Sequence, residues 1–293
     1  MILARRWAAG AAGAVGAVTL VLSPAVAGLG AASPAAAVPV GHVGHVGHVG
    51  HVGHVGTHVA APDVLLGPKG KNAPAVSLDW AGYAVTGTQI TTVSGSWTQP
   101  TATCTGKPTQ SAVWVGIDGF AATDGTVQQV GTDADCTKKV KKSPGGPSYY
   151  AWYEMFPGPL VPLPDSDTVT PGDKMSASVT RSGNSYLLAL TDAGHWMYST
   201  LQASTTTPQD VSGEWIVEAP TSCQGTKCKP VSLTDFGSVA FTGAMVDGLS
   251  IAASGPAANQ ITMSKNKKGT IVKASTSALD ASGDGFDVTW VQN

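Results

Sequence analysis

Glutamate is nearly missing from this sequence: its 293 residues contain three, Glu154, Glu214 and Glu218, against sixteen aspartates. Charge of either sign is scarce, at 12% of residues, about half the roughly 25% of an average domain. The formal charge of −2 supplies no basic surface of the kind that holds a nucleic-acid backbone. Histidine is confined in the same way. Six of the seven fall between His42 and His58, so only His195 remains beyond that border. A single imidazole cannot supply a multi-histidine zinc site, and a His-based triad is a poor fit to the rest of the chain. No stretch keeps a helical period, which argues against a bundle or a parallel α/β sheet.

What is present points to an exported all-β protein, with 36 Gly and 19 Pro among abundant Thr, Ser and Val. Residues 1–37 read as a secretory signal: Arg5 and Arg6 precede an uncharged Ala, Val and Leu-rich run, and Ala35-Ala36-Ala37 is the preferred cleavage pattern over Ala25-Val26-Ala27. The run is long enough to span a membrane, but its Gly and Ala content and Pro24 disfavour a retained helix. Arg5-Arg6 also leaves twin-arginine export open. Residues 38–74 form a spacer that repeats Gly-His-Val through His42, His45, His48, His51 and His54. Glycine at that density costs too much backbone entropy to order. The folded domain is expected over 75–293. Its four cysteines, Cys104, Cys136, Cys223 and Cys228, suggest two disulfides in an oxidising compartment. Three pairings exist; the short Cys223-to-Cys228 turn favours local pairing and leaves Cys104 for Cys136.

Thirteen runs of period-two alternation, bounded by Gly, Pro, Asn, Asp and Ser, fill the domain: Trp80–Val85, Ile90–Gln99, Ser111–Ile117, Val127–Gly131, Tyr149–Phe156, Lys174–Thr180, Tyr186–Asp192, His195–Gln202, Glu214–Glu218, Ser238–Val246, Gln260–Ser264, Thr270–Ser275 and Phe286–Val291. So many strands without helices imply a two-sheet antiparallel sandwich. Gly183-Asn184 marks a tight hairpin, and the four prolines between Pro157 and Pro164 mark a surface loop.

Strand parity then sorts the rare residues. In GEWIVEAP (Gly213 to Pro220), Glu214, Ile216 and Glu218 share one face while Trp215 and Val217 enter the core. From that stretch alone a solvent-facing pair of acids is the simplest account. In SYYAWYEMF, Trp152, Glu154 and Phe156 share a face, and in AVWVGIDGF so do Trp114, Gly116 and Asp118. Aromatics around a lone acid suit a groove that grips an extended peptide or a sugar.

These motifs, in order from about Asp79 to Asn293, resemble a bacterial member of the glutamic peptidase family, the eqolisins: Trp80-Ala81-Gly82-Tyr83, Val93-Ser94-Gly95-Ser96-Trp97 with Pro100, WVGIDG, QQVGTD, YAWYEMFP and GEWIVEAP. The resemblance implies a concanavalin A-like, lectin-like sandwich of two bent sheets with peptide along the concave face. It implies a catalytic Gln129, with Gln128 as the alternative register, and a catalytic Glu218, supported by Trp114, Asp118, Trp152 and Glu154. Glu214 is left as a surface acid. In two places the chain departs from the family pattern. Asp79 stands where Asn usually precedes Trp-Ala-Gly, and Ala219-Pro220 replaces the acid that commonly follows the catalytic Glu.

The implied activity is a secreted, extracellular acid endopeptidase that acts as a monomer on proteins or peptides. No cofactor, metal, nucleic acid or lasting membrane association is expected. Two other readings compete: a non-catalytic peptide- or glycan-binding sandwich, and a glycosidase using Glu154 and Glu218, whose carboxyls would then converge to about 5–5.5 Å. From residue 72 onward the chain carries 18 Asp and Glu against 13 Lys and Arg. A leader with protonated histidines, Lys69 and Lys71 would be attracted to that surface. Deleting residues 38–70 is therefore expected to raise peptidase activity at pH 6; unchanged activity rules out inhibition by this segment.

Overall fold

A computed structural model describes residues 75–120, 125–141, 145–204, 206–224 and 227–293. The signal and the Gly-His-Val spacer, with Lys69 and Lys71, lie outside the described residues. The strands are β1 (Ala75–Ser77), β2 (Trp80–Thr86), β3 (Thr92–Thr98), β4 (Ala112–Ile117), β5 (Val127–Thr137), β6 (Gly146–Phe156), β7 (Val161–Pro162), β8 (Lys174–Ser182), β9 (Ser185–Asp192), β10 (Trp196–Ala203), β11 (Ser212–Glu218), β12 (Thr221–Gln224), β13 (Lys227–Pro230), β14 (Ser238–Val246), β15 (Leu249–Ser250), β16 (Ala258–Ser264), β17 (Val272–Thr276) and β18 (Phe286–Trp290). One 3-10 segment, Ile251–Ala257, is the helical element among the described residues. All thirteen expected strands form. The five that the pattern does not reveal (β1, β7, β12, β13 and β15) have two to four residues, too few to display a period.

Hydrogen bonding runs without a break through β10-β9-β8-β3-β14-β18-β17-β16-β2-β11-β4-β5-β6-β7. The sandwich is therefore one sheet doubled back through β18 and β17, with β10 to β14 packed on the layer β2-β11-β4-β5-β6. Ladder pairs are antiparallel except β1 on β16. Gly183 and Asn184 form the two-residue turn between β8 and β9, with Gly183 at φ +63° in the first central place. The proline loop returns as β7, which pairs Pro162 with Trp152 at the sheet edge, where a missing N–H is tolerated. Both cystines form as expected, Cys104–Cys136 and Cys223–Cys228.

The layer that carries the site is buried on both faces. Trp215 and Val217 of β11, Val113 and Val115 of β4 and Val130 of β5 pack into the space between layers against Leu188 and Leu190 of β9. Ile216, Trp114 and Trp152, together with Trp80, form a second apolar cluster on the opposite face. Trp80 meets Trp114 edge to face at 4.9 Å between ring centroids, a contact of about 0.5–1.5 kcal/mol beyond its buried area. Glu214 accordingly is not a surface acid: it is 0% exposed. Parity assigned its face correctly, but on that face Glu214 itself is buried and does not meet solvent.

Close approach of these rings requires Gly131 in β5, directly between Trp114 and Trp152 in register. A Cβ there would lie 2.3 Å from the Val113 carbonyl oxygen and 2.6 Å from Trp114 Cβ. Gly131→Ala should destabilise the domain by about 2–3 kcal/mol, as overpacking of a filled core does, measured as a lowered urea midpoint with an unchanged m-value.

Candidate active site

Three cross-strand rows on the tryptophan-lined face hold the rare residues. One row runs Trp80, Glu218, Ala112, Asp133, Tyr150; the next Gly82, Ile216, Trp114, Gly131, Trp152; the third Ala84, Glu214, Gly116, Gln129, Glu154. Glu218 and Gln129 thus share a face but not a row. They sit two strands and four positions apart, about 10 Å across and about 13 Å along in a flat sheet. Glu154 lies one strand further from Glu218 again, so the two glutamates of a retaining glycosidase do not stand side by side. Gln129 is in line with Glu214 across Gly116, which presents no side chain between them.

Glu218, Glu154 and Asp133 are met by donors, as burial demands. Trp114 Nε1–H donates to Glu218 Oε2 at 2.8 Å. The Gln129 amide Nε2 donates to Glu154 Oε2 at 2.8 Å. Asp133 accepts from Trp152 Nε1 at 2.6 Å and from Tyr150 Oη at 2.8 Å. Burial and the neighbouring Asp133 and Asp135 push the Tyr150 hydroxyl far above its ordinary range, so it stays a donor. Glu218, Gln129 and Glu154 are all at most 1% exposed.

Gln128 takes the other face: it pairs with Met155, whose side chain packs on the inter-layer core. Only Gln129 therefore shares the face of the glutamates. Asp118 serves differently from the other supporting residues. At φ +71°, it accepts the backbone N–H groups of Gln209, Asp210 and Val211 at 2.8–3.0 Å and so fixes the segment that leads into β11. His195 occupies the β9–β10 turn in the opposite layer, where Asp192 holds Nδ1 at 2.7 Å and raises the imidazole pKa. With Asp173 it completes a group whose potential ligand atoms lie within 4.8 Å of one another, remote from the glutamates.

The residues that sequence reasoning underrated flank Glu218. Asp79 is 5% exposed, and its carboxyl accepts from Ser77 Oγ at 2.6 Å. Ser77 Oγ in turn accepts the N–H groups of Asp79 and Trp80, and the Asp79 carbonyl accepts Ala219 N–H at 2.8 Å. Burial, then the charge of Glu218, pushes Asp79 up to about 7, against the favourable effects of Ser77 and Lys273. Lys273 of β17 is itself 5% exposed, and burial lowers it to about 8. A lysine alternating with Val272 and Ala274 in a short strand was the one available signal, and it is indistinguishable from a surface lysine without the register.

The Asp79 shift fixes a sign for stability. Its folded pKa of about 7 exceeds the ordinary value of 3.8, so folding takes up a proton across that interval. The contribution is whole below about pH 4 and lost as pH rises through 7. At about 1.4 kcal/mol per unit, the span is on the order of 4 kcal/mol. The melting temperature should fall between pH 4 and 8, and Asp79→Asn should flatten most of that fall; parallel curves for both proteins would refute the assignment.

The Peptidase A4 family model matches residues 78–290. Aspergillopepsin-2 of Aspergillus niger is 27% identical over 191 residues, which are 57% of this chain and 64% of that protein. Among solved structures, scytalido-glutamic peptidase bound to a transition-state analogue inhibitor is 24% identical and shares the fold at a TM-score of 0.59, over 73% of this chain and 98% of that one. SCP-B, described as a member of the eqolisin family in complex with the tripeptide Ala-Ile-His, is 25% identical with a TM-score of 0.55 over the same shares. With a family match that takes in every strand of the buried acid rows, this chain belongs to the Peptidase A4 family.

Proposed function

We propose that this protein is a secreted endopeptidase that hydrolyses peptide bonds of protein substrates in acid, with Glu218 and Gln129 as its catalytic pair. The observation that carries this reading is that both side chains are buried on one face, each held by a hydrogen bond from or to a fixed neighbour, Trp114 for Glu218 and Glu154 for Gln129. Peptide hydrolysis without metal, Ser or Cys needs an activated water and a donor for the oxyanion. The Glu218 carboxylate takes a proton from water as its oxygen bonds to the scissile carbonyl carbon. The Gln129 amide, with one N–H engaged by Glu154, has its second for the developing oxyanion. As the C–N bond breaks, Glu218 returns the proton to the leaving amine. Two disulfides in the domain support an oxidising, extracellular destination.

The register favours one competitor, in which Glu214, directly across Gly116 from Gln129, is the general base. Hydrolysis of a denatured protein at pH 3–5 by the purified protein separates the cases. Glu218→Gln should lower kcat by about 10²–10⁴-fold, the range for a general acid–base group, and Gln129→Ala by about 10²–10³-fold, the range for an oxyanion donor. An active Glu218→Gln enzyme beside an inactive Glu214→Gln enzyme would transfer the role to Glu214, and wild-type inactivity across the range would end the peptidase reading.

A further inference from the structure

Glu218 has a second buried acid beside it that the reaction above does not use. Asp79 lies in the two-residue link between β1 and β2, immediately before Trp80, the registered partner of Glu218. Its main chain is tied to the residue after Glu218 through the Ala219 N–H, and its side chain is tied to Ser77. Each carboxyl group is thus fixed by its own donor, Asp79 by Ser77 and Glu218 by Trp114, at one end of the β2–β11 ladder. Ser77 is 0% exposed, Glu218 1%, Asp79 5% and Lys273 5%, so water screens none of them well.

The charged and titratable groups around Asp79 come from four elements. Ser77 Oγ donates from β1, and Glu218 faces Asp79 from β11. Lys273 faces it from β17, and Lys265, after β16, acts on Lys273. Glu218 has further neighbours in its own row, Asp133 and Tyr150. Around Asp79 the balance is one partly desolvated cation against two carboxyls, which favours a single negative charge on the pair. If Glu218 must be the anion to take a proton from water, the proton belongs on Asp79. Loss of that proton would place a second anion against the base and against a developing oxyanion, where it opposes the reaction.

We propose, resting on the assignment of Glu218 as general base, that Asp79 is a positioning residue that keeps the pair at one negative charge while the enzyme works, and that its ionisation closes the alkaline side of hydrolysis. An Asn at this place would be locked in the neutral form. The Asp of this chain makes the same neutral contact in acid and withdraws it toward neutral pH, which would silence the enzyme outside an acidic medium.

The test is kcat/KM for a denatured protein substrate from pH 3 to 8, with wild type, Asp79→Asn and Lys273→Gln. Asp79→Asn should keep its acid-side value within about threefold and carry its descending limb upward by about 1–3 pH units, the effect of a nearby like charge. Lys273→Gln removes the cation that favours ionised Asp79 and should move the same limb upward by a smaller amount. The second variant stands in if the first fails to fold. Superimposed descending limbs in active enzymes overturn the proposal and leave the peptidase reading intact, as does a folded Asp79→Asn protein inactive at every pH. A wild type without hydrolysis at any pH overturns both.

Discussion

Placing a carboxyl group among tryptophans is unfavourable by several kcal/mol unless donors meet it, and the layer β2-β11-β4-β5-β6 does this repeatedly on one face. Glu218, Glu214, Glu154 and Asp133 are each at most 1% exposed. The face is possible because its indoles act as both wall and donor. Trp114 contributes its ring to the apolar cluster and its N–H to Glu218; Trp152 does the same for Asp133. Gly116 and Gly131 clear the lines between them. An interior of this kind fixes each acid in one position, which a solvent-facing strand would leave to rotamer freedom.

Such a site is readable from sequence to the extent that period two governs it. The thirteen longer strands, the parity of β4, β6 and β11, and the grouping of Trp114, Trp152, Glu154 and Glu218 on one face all follow from alternation and from the rarity of glutamate. What alternation cannot tell is whether a face meets water or a second apolar cluster, and Glu214 was misplaced for that reason. Nor does it give register. That Gln129 aligns with Glu214 and not with Glu218 depends on the offset of β5 on β4, which is set by the packing of Gly131 under Trp114. Asp79 becomes a partner of Glu218, and Lys273 a partner of Asp79, only through contacts between residues far apart in the sequence. Family resemblance supplied the order of the motifs; the geometry supplied the differences within them.

The scarcity of charge bears on how the fold responds to pH. Acid usually unfolds proteins by protonating carboxylates that the native state holds in ion pairs. Among the described residues the ion pairs present, Arg181–Asp210 and His195–Asp192, are few and distant from the site. The buried Asp79 carboxyl gains from acidity, because burial favours its neutral form. The exposed Asp280 shifts the other way, lowered by Ser282 and the N–H groups of Gly283 and Gly285, and Asp118 accepts three backbone N–H groups while Asp133 accepts from Trp152 and Tyr150. Hydrogen bonds of this type favour the charged form of a carboxyl group. Asp118 and Asp133, through these bonds, fix the start of β11 and the orientation of Trp152, while the loss of stability toward neutral pH belongs to Asp79 beside Glu218. The two ends of β11 are thus fastened in different ways, the start by three backbone N–H groups on Asp118 and the end by the backbone of Asp79, whose own carboxyl is kept neutral in acid by burial.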